Sequence, residues 1–258
     1  MGLTLKSNSI ISSIATGFDL PVAGSVGTYL FDANSIGKNY AQNGKKPLVV
    51  GTPIRSSQFG VKFNKTNYIN TGLILSALKP TAPEYTVIVV CSNNTDTAMS
   101  YPLAVSYKNS DASAIDVNGE GVGFFFANVT AFASINNGGG SYGNGNVQYG
   151  RAGFSTKSIV IPTSRYKYKD KITVSEHNSG NTASADRTTE TAVTMPTKPI
   201  FIGRFQDALG GGITDANISY DTEFYGVFMF DRYLSNDEMT IMRNWIASEF
   251  LASRELSL

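Results

Sequence analysis

The feature that most constrains the fold is a short apolar strand that runs directly into a capped helix, within residues 223–250. Aromatic and aliphatic side chains fill both alternating faces of this strand, which predicts burial between a second sheet and a helix. Ser235 then occupies an N-cap position with Glu238 three residues later, the spacing of a capping box. Leu234 and Met239 flank this start in the positions of a hydrophobic staple. These signals place a helix start immediately after the strand.

The predicted helix has one apolar stripe. Its members recur at helical spacing and are Met242, Trp245, Ile246 and Phe250. We therefore predict one long helix from residue 235 to about 252, with the face that carries Met242, Trp245 and Ile246 buried.

Composition predicts that the rest of the chain is a single large β domain. The 258 residues include 25 Gly, 13 Tyr and 15 Phe, together with many Ser, Thr and Asn, which favour turns and strands over helices. All-β sandwiches of roughly 200 to 250 residues commonly form one domain. We therefore expect one β domain with its own hydrophobic core.

The closing strand and helix contain the pattern aromatic-Gly, three residues, aromatic-Asp-Arg-x-Leu-Ser-x-x-Glu, at residues 225–238. This pattern resembles the end of laminin G-like domains of the concanavalin A-like lectin/glucanase superfamily. Other stretches resemble the opening strands and the penultimate strand of the same family, and these are residues 29–34, 43–44, 59–63, 68–72 and 199–204.

The resemblance covers residues 25–250 and implies an antiparallel jelly-roll β-sandwich, concanavalin A-like, with one C-terminal α-helix. The matching residues maintain the fold, so they imply architecture rather than activity. We expect residues 25–258 to form this sandwich with its helix and residues 1–24 to form an N-terminal arm. Ser alternates with Ile and Ala in the arm, which predicts either an assembly or docking segment for a neighbouring subunit or a first strand of the domain itself.

Charge gives little support for nucleic-acid or membrane partners. The formal net charge is +1, and charged residues make up 16% of the chain. This surface has no broad electrostatic footprint for nucleic acid or an anionic membrane, and no stretch reaches the ~20 apolar residues of a membrane span. The N-terminal residues also lack the pattern of a secretory signal, since Lys6 follows the first apolar residues and serines interrupt them. We therefore expect neither nucleic-acid binding nor membrane insertion.

A lectin-like domain made without a secretory signal is expected in a bacteriophage virion, which is assembled inside the cell and displayed outside on the particle. We predict a virion surface protein, a tail fibre or capsid decoration component, whose sandwich attaches to a host-surface glycan. The expected partners are other virion proteins and further copies of the chain in a homo-oligomer. The alternatives are a purely structural capsid or tail protein with no ligand and a bacterial cell-surface carbohydrate-binding module.

Residues 136–151 are rich in Gly and Asn and predict a long surface loop. The loop has aromatic rings that suit the C–H face of a sugar and amides that suit its hydroxyl groups. A flexible hairpin connection would have the same composition. The residues predicted to bind carbohydrate are Tyr142, Asn144, Asn146, Gln148, Tyr149 and Arg151.

A second candidate surface lies at residues 165–171. As a continuous strand, this segment would place Arg165, Lys167, Lys169 and Lys171 on one face. Such a row of cations would hold an acidic polysaccharide or the phosphates of a lipopolysaccharide core. The same lysines would also protect a solvated edge strand from aggregation.

Catalysis is not expected, because the carboxylate arrangement of a glycanase is missing. Glycanases on this sandwich carry acid and nucleophile ~5 to 5.5 Å apart on one face, whereas an Asn-Gly turn separates Asp116 from Glu120. Cys91 is predicted to be a core residue of a central strand, and His177 a solvated side chain at a strand end. No cofactor is predicted.

Calcium is a separate question, since laminin G-like relatives often bind the ion at the sandwich rim. Asp207, Asp215 and Asp221 supply hard oxygen ligands along one stretch of chain. Turn formation explains the same residues, so the sequence leaves both interpretations open.

Overall fold

A computed structural model describes the chain at residues 19–64, 66–74, 81–82, 84–93, 159–177, 180, 182–188, 199–203 and 222–258. It describes the backbone alone at residues 123–127, 130–134 and 146–150.

The described residues form fifteen strands followed by a C-terminal helix. The strands are β1 (Ser25–Leu30), β2 (Leu48–Val50), β3 (Ile54–Arg55), β4 (Val61–Lys62), β5 (Tyr68–Asn70), β6 (Glu84–Asn93), β7 (Gly123–Ala127), β8 (Thr130–Ser134), β9 (Asn146–Gly150), β10 (Ile159–Val160), β11 (Pro162–Lys167), β12 (Lys171–Glu176), β13 (Thr182–Asp186), β14 (Phe201–Ile202) and β15 (Thr222–Phe230). The helix α1 spans Asn236–Trp245 and continues as a π-helical segment, Ile246–Leu251, and a 3₁₀ turn, Ala252–Arg254.

Nine strands form the main sheet, in the order β13-β12-β11-β6-β15-β4-β3, with β1 also paired to β15 and β10 to β6. A second sheet contains β14, β5 and β2, and a third contains β7, β8 and β9 and lies beside β12 and β13. Every pairing between these described strands is antiparallel. The described residues therefore form the antiparallel β-sandwich with a C-terminal helix that the sequence predicts.

The central strands β6 and β15 are buried on both faces of the main sheet. In β6, Val87, Val89 and Cys91 belong to one hydrophobic cluster, whereas Ile88 and Val90 belong to another. This division follows from strand geometry, because successive side chains point to opposite faces. The predictions of a two-sided closing strand and of a core position for Cys91 are confirmed.

One hydrophobic cluster lies on the inner face of the main sheet, which is the face covered by the second sheet. Its centre is an aromatic triad in which Phe31, Phe63 and Phe224 meet edge to face, with ring centres 5.2 to 6.3 Å apart. Edge-to-face contact is a favourable arrangement for aromatic rings. Ile69 of β5 and Ile202 of β14 complete the cluster from the second sheet.

Gly203 explains why the penultimate strand ends in an Ile-Gly pair. Its φ is +80°, a conformation that favours glycine, and a Cβ at this position would lie 2.1 Å from the Cβ of Phe63. The absence of a side chain therefore allows the end of β14 to pass directly over the aromatic triad.

The second hydrophobic cluster lies on the outer face, beneath the C-terminal helix. Phe228 of β15 packs edge to face on Trp245 and Phe250, with ring centres 5.8 and 5.5 Å apart. Met242 and Ile246 are fully buried in this cluster, whereas Trp245 is only partly buried. The predicted apolar face is therefore confirmed, with the indole ring at its margin.

The helix start has the geometry that its sequence predicts. The side chain of Ser235 accepts a hydrogen bond from the backbone N–H of Glu238, whose carboxylate accepts one from the backbone N–H of Ser235. Leu234 and Met239 are buried together, as a hydrophobic staple requires. Arg232 adds a bidentate ion pair to Glu238, at 2.7 and 2.9 Å. The turn between β15 and α1 is therefore fixed by several mutually supporting contacts.

The helix end is fixed by Arg254, which is buried and lies 3.7 Å from the carboxylate of Asp32. Its guanidinium carbon lies 4.0 Å from the centre of the Phe250 ring. Burial lowers the pKa of Arg254 to about 10, and Asp32 opposes that shift. These contacts join the end of the chain to the loop after β1. None of the helical segments that the structure describes has the length and apolar character needed to cross a membrane.

Candidate functional site

The segment 165–171 forms a hairpin, which corrects the prediction of one strand with four aligned cations. β11 ends at Lys167 and β12 begins at Lys171, so Lys169 lies in the turn with a φ of +54°. Lys167 is exposed and forms an ion pair with Asp170 at 3.3 Å. The other two cations, Arg165 and Lys171, lie at the wall of a cavity.

This cavity, which we call the helix-edge cavity, has a volume of about 450 Å³. It lies on the outer face of the main sheet, beside α1. Its lining comes from β12 and β13, which contribute Thr173, Ser175, Thr182 and Ser184, and from α1, which contributes Asn236, Met239, Thr240 and Arg243. The remaining lining residues are Arg165, Lys171, Glu176, His177, Gly180 and Tyr233.

Strand alternation explains why β12 has a polar side here. Ile172 and Val174 are fully buried in the inner cluster, so Thr173 and Ser175 point to the outer face. α1 covers the outer face mainly over β15 and β6, where Phe228 and Ile88 lie. The outer side of β12 and β13 therefore borders a cavity instead of a packed core.

Arg165 connects the sheet to the start of the helix. Its Nη1 donates to the carbonyl of Leu234 at 2.8 Å and to Oδ1 of Asn236 at 2.9 Å. The side chain is only 6% exposed, and no described residue accepts a hydrogen bond from its buried Nε. Burial lowers the pKa of Arg165, with an opposing effect of Tyr233. Arg165 is thus a fixed cation whose bonded acceptors are neutral.

Tyr233 lies between the sheet and the helix and contacts both cations from the hairpin. The Arg165 guanidinium carbon is 4.8 Å from the centre of its ring, and the Lys171 Nζ is 5.2 Å from it. The phenol hydroxyl shares a hydrogen bond of 3.1 Å with Oγ1 of Thr173. The backbone N–H of Tyr233 donates to Oε2 of Glu84 at 3.0 Å. These bonds hold the ring, and with it the two cations, in one arrangement.

His177 is half-buried in the cavity wall, so the prediction of a solvated side chain was wrong. Its Nε2 is buried, and none of the described residues bonds to it. Burial lowers the pKa of His177 to about 4, while Glu176 opposes the shift and Arg243 and Arg165 add to it. The imidazole is therefore neutral at pH 7. No local pattern indicates this burial, because the helix that lines the cavity beside His177 comes much later in the chain.

The charges around the cavity are mostly positive. Arg165, Lys171 and Arg243 line the cavity together with one acidic residue, Glu176. The Glu176 carboxylate is buried and accepts a hydrogen bond from the backbone N–H of Ile161 at 3.0 Å. Asp186 is the cross-strand neighbour of Lys171, but its exposed carboxylate already accepts two hydrogen bonds of 2.6 Å from Thr188.

The sugar-binding loop predicted from the sequence lies mostly outside the described residues. Tyr142, Asn144 and Arg151 are outside them, and only the backbone is described at Asn146, Gln148 and Tyr149. Those three residues belong to β9, which pairs with β8, so residues 146–150 form a strand and not part of a loop. Their role in binding sugar stays a prediction.

The acidic residues considered for catalysis and calcium binding also lie outside the described residues, and these are Asp116, Glu120, Asp207, Asp215 and Asp221. In the part of the chain that is described, no group of three or more His, Cys, Asp or Glu side chains is placed to hold a metal ion.

Comparison with known proteins identifies a shared fold. No family model and no curated protein sequence matches the chain. Among solved structures, the receptor-binding domain of botulinum neurotoxin C/D mosaic serotype superposes with a TM-score of 0.62 at 13% identity, covering 86% of this chain and 51% of that one. The binding domain of botulinum neurotoxin DC in complex with rat synaptotagmin II gives 0.60 at 10%, covering 87% and 52%. The same domain in complex with SialylT gives 0.60 at 8%, covering 87% and 52%.

The chain thus spans about half the length of these solved structures. At such low identity the likeness concerns architecture alone. Together with the sheet order and the C-terminal helix, it shows that the chain has an antiparallel β-sandwich fold.

Proposed function

We propose that the chain is the surface-attachment domain of a bacteriophage virion protein, a fibre or decoration component, and that it binds a host-surface glycan. The observation that carries the glycan part is the helix-edge cavity, a concave polar site on a rigid sheet. Its volume of about 450 Å³ falls in the range of roughly 300 to 1,000 Å³ found for small-molecule sites.

The groups around the cavity suit a saccharide. Ser175, Ser184 and Thr240 provide hydroxyls, and Asn236 provides an amide, all of which pair with sugar hydroxyls. Tyr233 adds an aromatic surface beside them. Among the described lining residues, no serine or threonine hydroxyl is hydrogen-bonded to Nε2 of His177, so none is activated as a nucleophile there, which favours binding over catalysis.

The structural comparison supports the same class of function. The superposed structures are receptor-binding or binding domains, one of them in complex with rat synaptotagmin II and another in complex with SialylT. This chain matches only about half of each solved structure, so the positions of the receptors in those complexes are not assigned to it. The comparison adds weight to an attachment role for the sandwich and to the prediction that the chain is not an enzyme.

The virion part of the proposal rests on the sequence. The pattern of residues 1–24 predicts an assembly segment. A particle with many copies of the protein attaches firmly even when each single site binds its ligand weakly. A site with a Kd of ~1 mM, about 4 kcal/mol, still attaches a particle that carries many linked copies. Capsid and tail genes next to the coding gene would support the virion assignment, whereas a polysaccharide-utilisation cluster would contradict it.

A glycan array probed with multimerised protein tests the glycan part. We expect wild-type binding that Tyr233→Ala abolishes and that Tyr168→Ala, in the neighbouring turn outside the cavity, preserves. Tyr142→Ala and Tyr149→Ala test the loop site in the same experiment. If the wild type binds no glycan, the purely structural virion protein becomes the better interpretation.

A further inference from the structure

We propose that the helix-edge cavity selects acidic saccharides and holds anionic groups of the ligand with Lys171 and Arg243, in the positive field of Arg165. This inference rests on the proposed glycan-binding function and names its ligand class. The shared chemistry is a sugar that carries a carboxylate, sulfate or phosphate.

Positive charge is concentrated at the helix-edge cavity. The whole chain has a formal net charge of only +1. Three cations nevertheless line this cavity, together with one carboxylate. That carboxylate accepts a hydrogen bond from the backbone N–H of Ile161. Within the described part of the chain, Arg165, Lys171 and Arg243 form no ion pair with an acidic residue. An anion would therefore meet cations whose charge is not already neutralised.

Arg165 is held in place by neutral groups. Its Nη1 bonds, to the Leu234 carbonyl and the Asn236 amide oxygen, fix the guanidinium without neutralising it. Arg165 is only 6% exposed. A nearby anion strongly stabilises a buried cation that lacks a carboxylate partner, because the site screens charge less than water does.

The two more accessible cations lie toward opposite ends of the cavity. Lys171 begins β12 and lies against the Tyr233 ring, whereas Arg243 projects from the exposed side of α1 near His177, which follows the other end of β12. Each cation can therefore contact its own anionic group on a saccharide with repeated charges, and the guanidinium of Arg243 suits bidentate contact with an oxyanion.

The rest of the lining suits a saccharide better than a simple anion. Around the cations, many of the lining residues carry hydroxyl groups, including Ser175, Ser184 and Thr240. His177 adds a neutral imidazole whose Nε2 has no described partner. A ligand with anionic groups and several hydroxyls matches this lining better than an inorganic ion, which would use only the cations.

The test uses polymers that differ only in charge. Polygalacturonate and its fully methyl-esterified form share one sugar backbone, and dextran sulfate and dextran form a second pair that separates sulfate from carboxylate. Binding of the full chain is measured by biolayer interferometry at low salt. We expect the wild type to bind at least one anionic polymer about 10-fold or more tightly than its neutral partner, with affinity that falls as salt rises.

Matched variants locate the effect. Lys171→Gln and Arg243→Gln should each weaken binding of the anionic polymer about 3- to 10-fold, by loss of one charge contact. Lys171→Arg should restore most of it. Lys167→Gln removes the same charge from the same hairpin outside the cavity and should leave binding unchanged.

The outcomes separate the two proposals. Equal binding of charged and neutral polymers overturns the acidic-sugar inference and leaves glycan binding in place. Equal losses in Lys167→Gln and Lys171→Gln also overturn it, because general surface charge would then explain the binding. Failure of the wild type to bind any of the four polymers overturns the inference, and failure on the glycan array as well removes the proposed function.

Discussion

The two faces of the hairpin formed by β11 and β12 differ sharply, although their side chains alternate along the same two strands. On the inner face, Tyr166, Ile172 and Val174 are completely buried beneath the remainder of the sandwich. On the outer face, Arg165 and Thr173 border a polar cavity. The difference arises from the cover: a helix is narrower than a sheet and closes only the part of the face on which it lies. A cavity therefore remains on the part of the outer face that the helix does not cover.

The largest expected effect tests whether the helix closes its part of the outer face as completely as the second sheet closes the inner face. Phe224 is buried in the inner cluster and Phe228 under the helix, on the same strand. Phe224→Ala and Phe228→Ala should each lower the free energy of unfolding by about 3 to 5 kcal/mol. Urea unfolding measures both.

Trp245→Ala is the graded control for this pair. Its ring contacts Phe228 but is only partly buried, so we expect a smaller loss of about 2 kcal/mol. If Phe228→Ala lowers the free energy of unfolding by less than about 1 kcal/mol, the helix is loosely attached. The helix would then not bury the outer face as completely as the second sheet buries the inner face.

The second prediction concerns the open part of the outer face. Arg165→Met keeps much of the side-chain volume but removes the donor to the buried carbonyl of Leu234. We expect a loss of about 1 to 2 kcal/mol in the free energy of unfolding, well below that of Phe228→Ala. Lys167→Met, on the same strand and exposed, should change stability by less than about 0.5 kcal/mol. A loss for Arg165→Met as large as that of a core phenylalanine would mean that this side chain is chiefly structural.

The sequence predicted the closed parts of this comparison well, because their signals are local. The capping box at Ser235 and Glu238, the two-sided pattern of β15 and the buried strand around Cys91 each lie within a few residues. Alternation and capping depend on neighbours along the chain, so a single segment contains enough information to predict them.

The cavity could not be predicted in the same way. Arg165 and the Leu234 carbonyl that it contacts are 69 residues apart in the chain, and neither segment indicates the other. The hairpin itself was missed because its turn has no glycine. Lys169 takes the left-handed conformation that Gly or Asn usually takes, so the alternating Tyr and Lys residues suggested one strand.

The third prediction tests how firmly the start of the helix is attached to the sheet. The bidentate hydrogen bonds from Arg232, with the backbone N–H of Ser235, lower the pKa of Glu238 to about 2. Because this value is below about 4.3, the usual pKa of an unfolded Glu, the carboxylate stabilises the fold above that range. The stabilisation should disappear as the pH falls towards 2. The pair is partly exposed, so we expect only about 1 kcal/mol at pH 7.

Glu238→Gln should therefore be less stable than the wild type at pH 7, and the two unfolding curves should converge near pH 2. Glu249→Gln removes an exposed carboxylate from the following helical segment and is the matched control. A difference between Glu238→Gln and the wild type that persists unchanged at low pH would show that the charge of Glu238 is not what holds the helix start.

The smallest expected effect on stability is that of deleting residues 2–18 from the N-terminal arm, whose last residues reach the outer face beneath the helix. Val22 is buried, Leu20 packs against the same cluster, and the carbonyl of Ala23 accepts a hydrogen bond of 2.9 Å from Arg232. Residues 1–18 lie outside the described part of the chain. We therefore divide the arm at residue 19 and compare deletion of residues 2–18 with deletion of residues 2–24.

Deletion of residues 2–18 should change the free energy of unfolding by less than about 0.5 kcal/mol, because the described contacts are all kept. Deletion of residues 2–24 should cost about 1 to 3 kcal/mol, since it uncovers the apolar surface that Val22 and Leu20 cover. Light scattering on the same proteins tests the assembly role. If the shorter deletion leaves a folded protein that no longer oligomerises, residues 2–18 form the assembly segment. If that deletion unfolds the domain, those residues belong to the sandwich, and the outer face has a second cover besides the helix.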